Sequence, residues 1–238
     1  MGMANACRSV LLPCLNFQIT VYQDLANELA ARHVTLVAVS KTHPPERILE
    51  LYRQGQRIFG ENRVQDLAAK YEALPKDIEW HLIGHLQTNK VKYIASFVRM
   101  IHSVDSLRLL QEIDKQARQA GRVIDCLLQF HIAEEETKFG LDEPEADALL
   151  SSPSFKSMNN IRLCGVMGMA SFTEDTNRVR AEFQHLRRIF QHLKSAFFPG
   201  AAYFREISMG MSGDWSIAVE EGSTMVRIGS LIFGNREY

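Results

Sequence analysis

Cysteine is scarce in this 238-residue chain, and the four present, Cys7, Cys14, Cys126 and Cys164, form no C-x-x-C pair and no zinc-type spacing. That excludes a disulfide framework and a thiolate metal centre; Cys126 and Cys164 fall inside apolar runs and read as reduced core residues of a cytosolic protein. No stretch approaches the roughly 20 apolar residues a membrane helix needs. Residues 10–15 are apolar but are broken by Pro13 and too short for a signal-peptide core, so residues 1–15 are expected to be a poorly ordered leader. Neither sign of charge dominates: 27 basic and 28 acidic side chains leave a net charge of −1, too little to draw in nucleic acid or a membrane surface. The chain also lacks an early G-x-G-x-x-G after an apolar run, which disfavours an open doubly wound sheet.

What the chain has is repetition. From residue 16 the pattern alternates between short β-branched or apolar runs and longer stretches of helical period, with no Ser/Gly/Pro-rich linker between them. Ile19, Tyr22, Ala26 and Leu29 suggest a leading helix. Apolar runs follow near residues 34–40, 57–60, 79–84, 98–104, 122–132, 161–167, 203–207 and 224–228. The intervening helices show apolar faces at Val64, Leu67, Ala68 and Tyr71, at Leu110, Ile113 and Ala117, and at Val179, Phe183, Leu186, Phe190 and Leu193, each a core stripe. Eight strands alternating with helices predict an α/β fold, a single (β/α)8 TIM barrel over residues 16–238 whose active face is built from the loops after the strands.

Chemistry gathers at the ends of those runs. Lys41 closes the first one, at the carboxyl end of a strand that reads as buried. A partly desolvated amine there could attack an aldehyde as a Schiff-base residue; the alternative is a lysine that merely reaches to solvent. Ser208-Met209-Gly210-Met211-Ser212-Gly213-Asp214 follows the seventh run and Gly229-Ser230 the eighth, where many barrels bind phosphate. Glycine admits an anion close to the backbone, and Asp214 is expected to cap a short helix carrying Trp215, Ala218 and Val219. Tight turns alone would also account for these residues. Arg227 is a permanent charge at the end of the eighth strand and needs a partner. Polar groups in residues 59–64 and 80–90 are expected to ring the same mouth. His81 and His85, four apart, invite a metal, but no third ligand stands at suitable spacing. His33, His185 and His192 read as surface residues, while His102 stays ambiguous.

Six motifs in order, Ala38-Val39-Ser40-Lys41-Thr42, Phe59-Gly60-Glu61-Asn62, Trp80-His81-Leu82-Ile83-Gly84 with Leu86-Gln87-Thr88-Asn89-Lys90, Glu136-Thr137-Lys138-Phe139-Gly140, Ser208-Met209-Gly210-Met211-Ser212 and Gly222 to Gly229, carry a resemblance. The chain resembles the pyridoxal phosphate homeostasis protein family, single-domain relatives of bacterial alanine racemase, from about Val34 to Tyr238. The resemblance implies a type III fold binding pyridoxal 5'-phosphate (PLP), with Lys41 as the aldimine lysine and Arg227 facing the pyridine nitrogen. It also implies Ser208, Gly210, Gly229 and Ser230 on the phosphate loops and Asn62 near the cofactor. His85 stands where the family more often has proline and His131 where it more often has asparagine; residues 1–15 match nothing in it.

An arginine beside the pyridine nitrogen disfavours its protonation and makes the ring a weak electron sink. The resemblance therefore implies a non-catalytic carrier of PLP acting in vitamin B6 homeostasis, with PLP-dependent apoenzymes as recipients; the cysteines point to the cytoplasm, the lack of an obvious exposed apolar stripe favours a monomer, and the balanced charge disfavours a nucleic-acid or membrane partner. The alternatives are a PLP-dependent racemase or lyase using Lys41, His85 or Tyr238 as a base, a cofactor-independent class I aldolase, and an interaction scaffold. Lys138, in the polar loop after the fifth run, is a candidate second amine, against the plainer reading of a solvated lysine among glutamates.

Overall fold

The computed structural model describes residues 6–133 and 140–234. The first helix, α1 (Ala6–Ala31), precedes eight strands: β1 (Thr35–Val39), β2 (Ile58–Glu61), β3 (Glu79–Leu82), β4 (Met100–Val104), β5 (Ile124–Phe130), β6 (Ile161–Gly168), β7 (Glu206–Ser208) and β8 (Met225–Ile228). All pair in parallel, each with its sequence neighbour, and β8 closes on β1. This is the expected (β/α)8 barrel, and each apolar run of the sequence carries one strand.

Between strands lie α2 (Pro45–Arg53), α3 (Val64–Ala73), a 3-10 turn (Thr88–Tyr93), α4 (Leu107–Gln119), α5 (Glu143–Ser151), α6 (Pro153–Lys156), α7 (Thr176–Phe197) and α8 (Trp215–Glu220); α9 (Ser230–Phe233) follows β8. Helices α4, α5, α6 and α7 start where side chains satisfy free N–H groups. Ser106 Oγ accepts from Leu109 N at 3.3 Å, and Asp142 and Glu145 form a reciprocal capping box on α5. The apolar stripe of α7 is buried throughout, from Val179 to Leu193. On α1 the buried positions are Tyr22, Leu25 and Leu29, and the half-buried Ala26 packs against the same core. The backbone of α1 runs through Leu15 as one helix.

Strand alternation splits the apolar residues into two layers. Phe59, Trp80, Leu82, Ile101, Leu128, Val166 and Val226 face outward to the helices in the main core. Val37, Met100, Leu127, Cys164, Met167 and Met225 form a separate cluster inside the barrel. Cys126 and Cys164 are free and buried, and burial raises both thiols, Cys164 to about 12, so they stay protonated. At the barrel's amino-terminal end buried Asp125 binds two arginines, Arg99 at 2.7 Å and Arg162 at 2.6 and 2.9 Å. β6 bulges against β5 just before Gly165, and a Cβ on Gly165 would collide with the Glu206 carbonyl of β7.

Candidate functional site

β1 and β8 build the first wall of the site. Their register sets Val37 opposite Arg227 and Ala38 opposite Ile228. Two residues further along, a Cβ on Gly229 would stand 3.0 Å from the Val39 carbonyl oxygen, so glycine there lets the β8 loop close onto the end of β1. Lys41 follows Val39 by two residues, just past the carboxyl end of β1. It is half-buried. The strand ends in a tight turn in which His43 N–H donates to Ser40 O at 3.1 Å, and Thr42 has φ 69°. The His43 ring stacks on Phe233 of α9 at 4.7 Å, which ties this turn to the segment after β8.

The loop after β7 meets the same corner. Gly210 has φ 96°, and a Cβ there would press on Ala218 at 2.6 Å. Its carbonyl accepts from Arg227 N at 2.9 Å, and Ser212 Oγ accepts from Gly229 N at 3.3 Å, so the two glycine loops are stitched together. Asp214 does not cap α8 with its side chain as expected. Its carboxylate turns back to accept from Met211 N at 2.5 Å, which closes the loop on itself instead. Ser230, at the start of α9, is exposed.

Arg227 lies below the mouth, 4% exposed. Its guanidinium donates to Ser208 O at 2.8 Å, Ser208 Oγ at 2.6 Å and Gly168 O at 3.0 Å. The Ser208 hydroxyl, expected on a phosphate loop, is thus engaged inside the barrel, because Ser208 sits on β7 at an inward position. Beyond it, His102 Nδ1 lies 3.0 Å from Ser208 Oγ, and His102 Nε2 lies 2.9 Å from His81 Nδ1. Arginine only donates, so the directions follow from that end: Ser208 Oγ accepts from Arg227 and gives its own proton to His102 Nδ1, and His102 Nε2–H donates to His81. Burial holds both imidazoles neutral, His81 with a pKa of about 3, helped by Arg99, and His102 well below its ordinary value, helped by His81 and Arg227. Burial also lowers Arg227 to about 10.

Several residues expected at the mouth lie elsewhere. Phe59 and Trp80, apolar members of the stretches 59–64 and 80–90, are fully buried in the main core. Glu61 also points outward, behind the sheet toward α3, where its Oε1 accepts from Ser40 Oγ and Lys70 Nζ, each at 2.6 Å; Lys70 Nζ also donates to Ser40 O at 2.8 Å. Burial pushes the Glu61 carboxyl up, against the pull of Lys70. His81 and His85 diverge: His81 enters the barrel, while His85 is exposed with Nδ1 at 3.3 Å from Asp105. Asn62 follows β2 at the mouth, half-buried, its backbone so close to Gly84 that a Cβ on that glycine would have no room. His131 is half-buried at the end of β5. Lys138 and Tyr238 lie outside the described residues. Sequence reasoning missed Lys70 and the His81–His102 pair; a lysine within the apolar face of α3 and a histidine within the run Met100-Ile101-His102-Ser103-Val104 were the available signals.

The site therefore offers an amine at one strand end, a glycine-lined corner that side chains would fill, and a buried guanidinium beneath, a donor set that fits PLP. Residues 22–237 match the family model of the alanine racemase N-terminal domain. A pyridoxal phosphate homeostasis protein from Aquifex aeolicus is 43% identical over 204 residues, 85% of this chain and 87% of that protein. PipY of Synechococcus elongatus PCC7942 superposes with a TM-score of 0.83 in its structure without PLP, at 36% identity over 90% of this chain and 99% of PipY. The PipY structure with PLP bound gives a TM-score of 0.79 at 35% identity, over 90% of this chain and all of PipY. On the match to its barrel and its relatives, this chain belongs to the alanine racemase N-terminal domain family and, within it, to the pyridoxal phosphate homeostasis proteins.

Proposed function

We propose that this protein binds PLP and acts in PLP homeostasis as a cytoplasmic, monomeric carrier without turnover of its own. The observation that supports the reading is the β1–β8 wall: Arg227 on β8 pairs with Val37, Gly229 just past β8 lies against Val39, and Lys41 follows the end of β1 by two residues. PLP, when bound, supplies an aldehyde that a lysine amine can capture. Lys41 would supply that amine, and Arg227, as a buried cation, would disfavour a proton on the pyridine nitrogen. Gly210, Gly229 and Ser230, with Asn62 nearby, line the phosphate side. Ser208 supports this from below by holding Arg227, and His85 trims the mouth. The relatives' names and the PLP-bound PipY structure support the cofactor. Among the described residues no helix is long and apolar enough to cross a membrane.

Borohydride treatment of the PLP-loaded protein, followed by peptide mass spectrometry, is expected to place the fixed adduct on Lys41, and Lys41→Ala is expected to lose it. An adduct on another lysine alone overturns the assignment. Amino-acid racemase and lyase assays on the same preparation separate carrier from enzyme, and light scattering tests the monomer. Lys138 we propose as a second amine on the exit path. Lys138→Ala is expected to leave Lys41 loading intact and to slow transfer to a PLP-dependent apoenzyme; unchanged transfer kinetics make it a surface lysine.

A further inference from the structure

The turn that presents Lys41 is poorly matched to its own sequence. Ser40, Lys41, Thr42 and His43 are closed by the His43 N–H to Ser40 O bond, and the third residue, Thr42, has φ 69°. That left-handed conformation suits glycine or asparagine; a β-branched threonine resists it. Something outside the turn must hold it.

We infer that Lys70 and Glu61 are positioning residues that clamp this turn and so fix the direction in which Lys41 leaves the backbone. The clamp closes a ring on a single residue. Lys70 Nζ donates to Ser40 O, the same oxygen that closes the turn, and to Glu61 Oε1, which in turn accepts from Ser40 Oγ. The hydroxyl and the carbonyl oxygen of Ser40 are thereby gripped from the next β/α unit, by the last residue of β2 and a residue of α3. Ser40 and Glu61 are fully buried and Lys70 is nearly so. A buried ion pair kept only for stability would have its remaining lone pairs satisfied, yet Glu61 Oε2 is buried with no hydrogen-bond partner among the described residues. The arrangement is costly in itself and is explained by where it holds the chain. Neither side chain touches the reacting atoms; both act through the peptide that precedes Lys41.

The inference about the turn stands on geometry alone, and its consequence for the cofactor rests on the reading of Lys41 given above. Glu61→Met/Lys70→Met removes both arms of the clamp without leaving a lone buried charge. Hydrogen exchange on the full chain as purified is expected to speed the His43 amide at least tenfold, with the Leu110 amide of α4 as an unaffected reference. Adding Thr42→Asn, which is at ease at positive φ, is expected to restore His43 protection. Unchanged exchange in the clampless protein, or no restoration by asparagine, overturns the inference. Thr42→Asn alone is expected to raise the thermal midpoint by relieving the turn, and a lowered midpoint overturns it. Should the clampless chain fail to fold, recovery of a folded protein on adding Thr42→Asn supports the inference, and failure to recover overturns it. PLP affinity by absorbance titration is expected to fall at least tenfold without the clamp and to return with asparagine at position 42. If the borohydride adduct in the natural chain lies on another lysine, the functional reading falls, while His43 exchange still decides the clamp.

Discussion

Gly229 shows what a missing side chain does at this site. Its backbone rests where a Cβ would sit 3.0 Å from the Val39 carbonyl oxygen, so any larger residue must push the β8 loop away from the end of β1. Gly229→Val is expected to weaken PLP retention by more than tenfold, about 1.4 kcal/mol, measured by equilibrium dialysis of a variant whose circular dichroism matches the parent. Retention at the parental level would move the phosphate anchor to another loop. The positions of Lys41, Arg227 and the glycines were legible in the sequence because each interrupts a pattern: a charge ending an apolar run, or a glycine pair just after one. Lys70 was not legible, since a lysine beside Leu67 and Tyr71 on a helix reads as a boundary residue until the partner beneath it, Glu61, is seen to point the same way.

At the scale of elements, four strands contribute to one buried polar chain: His81 from β3, His102 from β4, Ser208 from β7 and Arg227 from β8. Ser208 is its central link. Ser208→Ala leaves an Arg227 N–H and His102 Nδ1 unpaired in the interior, so a loss of about 1–3 kcal/mol in urea unfolding is expected. A loss below about 0.5 kcal/mol would mean that the hydroxyl satisfies nothing there. The eight strands themselves were readable from period and punctuation, because parallel strands covered by helices must be apolar on both faces. Which face each polar residue takes was not readable for Glu61: a single-residue step in strand phase separates the barrel mouth from the helix layer, and the motif Phe59-Gly60-Glu61-Asn62 supplies polar groups in both phases. The Asp214 carboxylate was misassigned for a similar reason, since a residue before a short helix can cap forward or close its loop backward with equal chemistry.

For the whole molecule the buried histidines set a pH dependence whose sign can be worked out. His81 titrates near 3 in the folded chain and near 6.5 when unfolded, and His102 is shifted the same way. Between those values the unfolded chain binds protons that the folded chain refuses. Stability is therefore complete above about pH 6.5 and falls as pH drops toward 3, by up to about 1.4 kcal/mol per pH unit for each histidine. Glu61 and Asp214, raised by burial, act with the opposite sign lower in the acid range, where their folded forms take up protons first. The expected result is a urea midpoint that declines between pH 6.5 and 5, with a shallower decline in His81→Gln. Equal slopes in the two proteins would assign the acid sensitivity to other groups.

The apolar cluster of Val37, Met100, Leu127, Cys164, Met167 and Met225, with the Asp125 arginine pair behind it, has a consequence for traffic. It makes the barrel a vessel with one door. If the protein carries PLP as proposed, a phosphorylated guest could not cross that plug and would have to leave by the rim through which it arrived, so that a donor and a recipient would take turns at a single doorway.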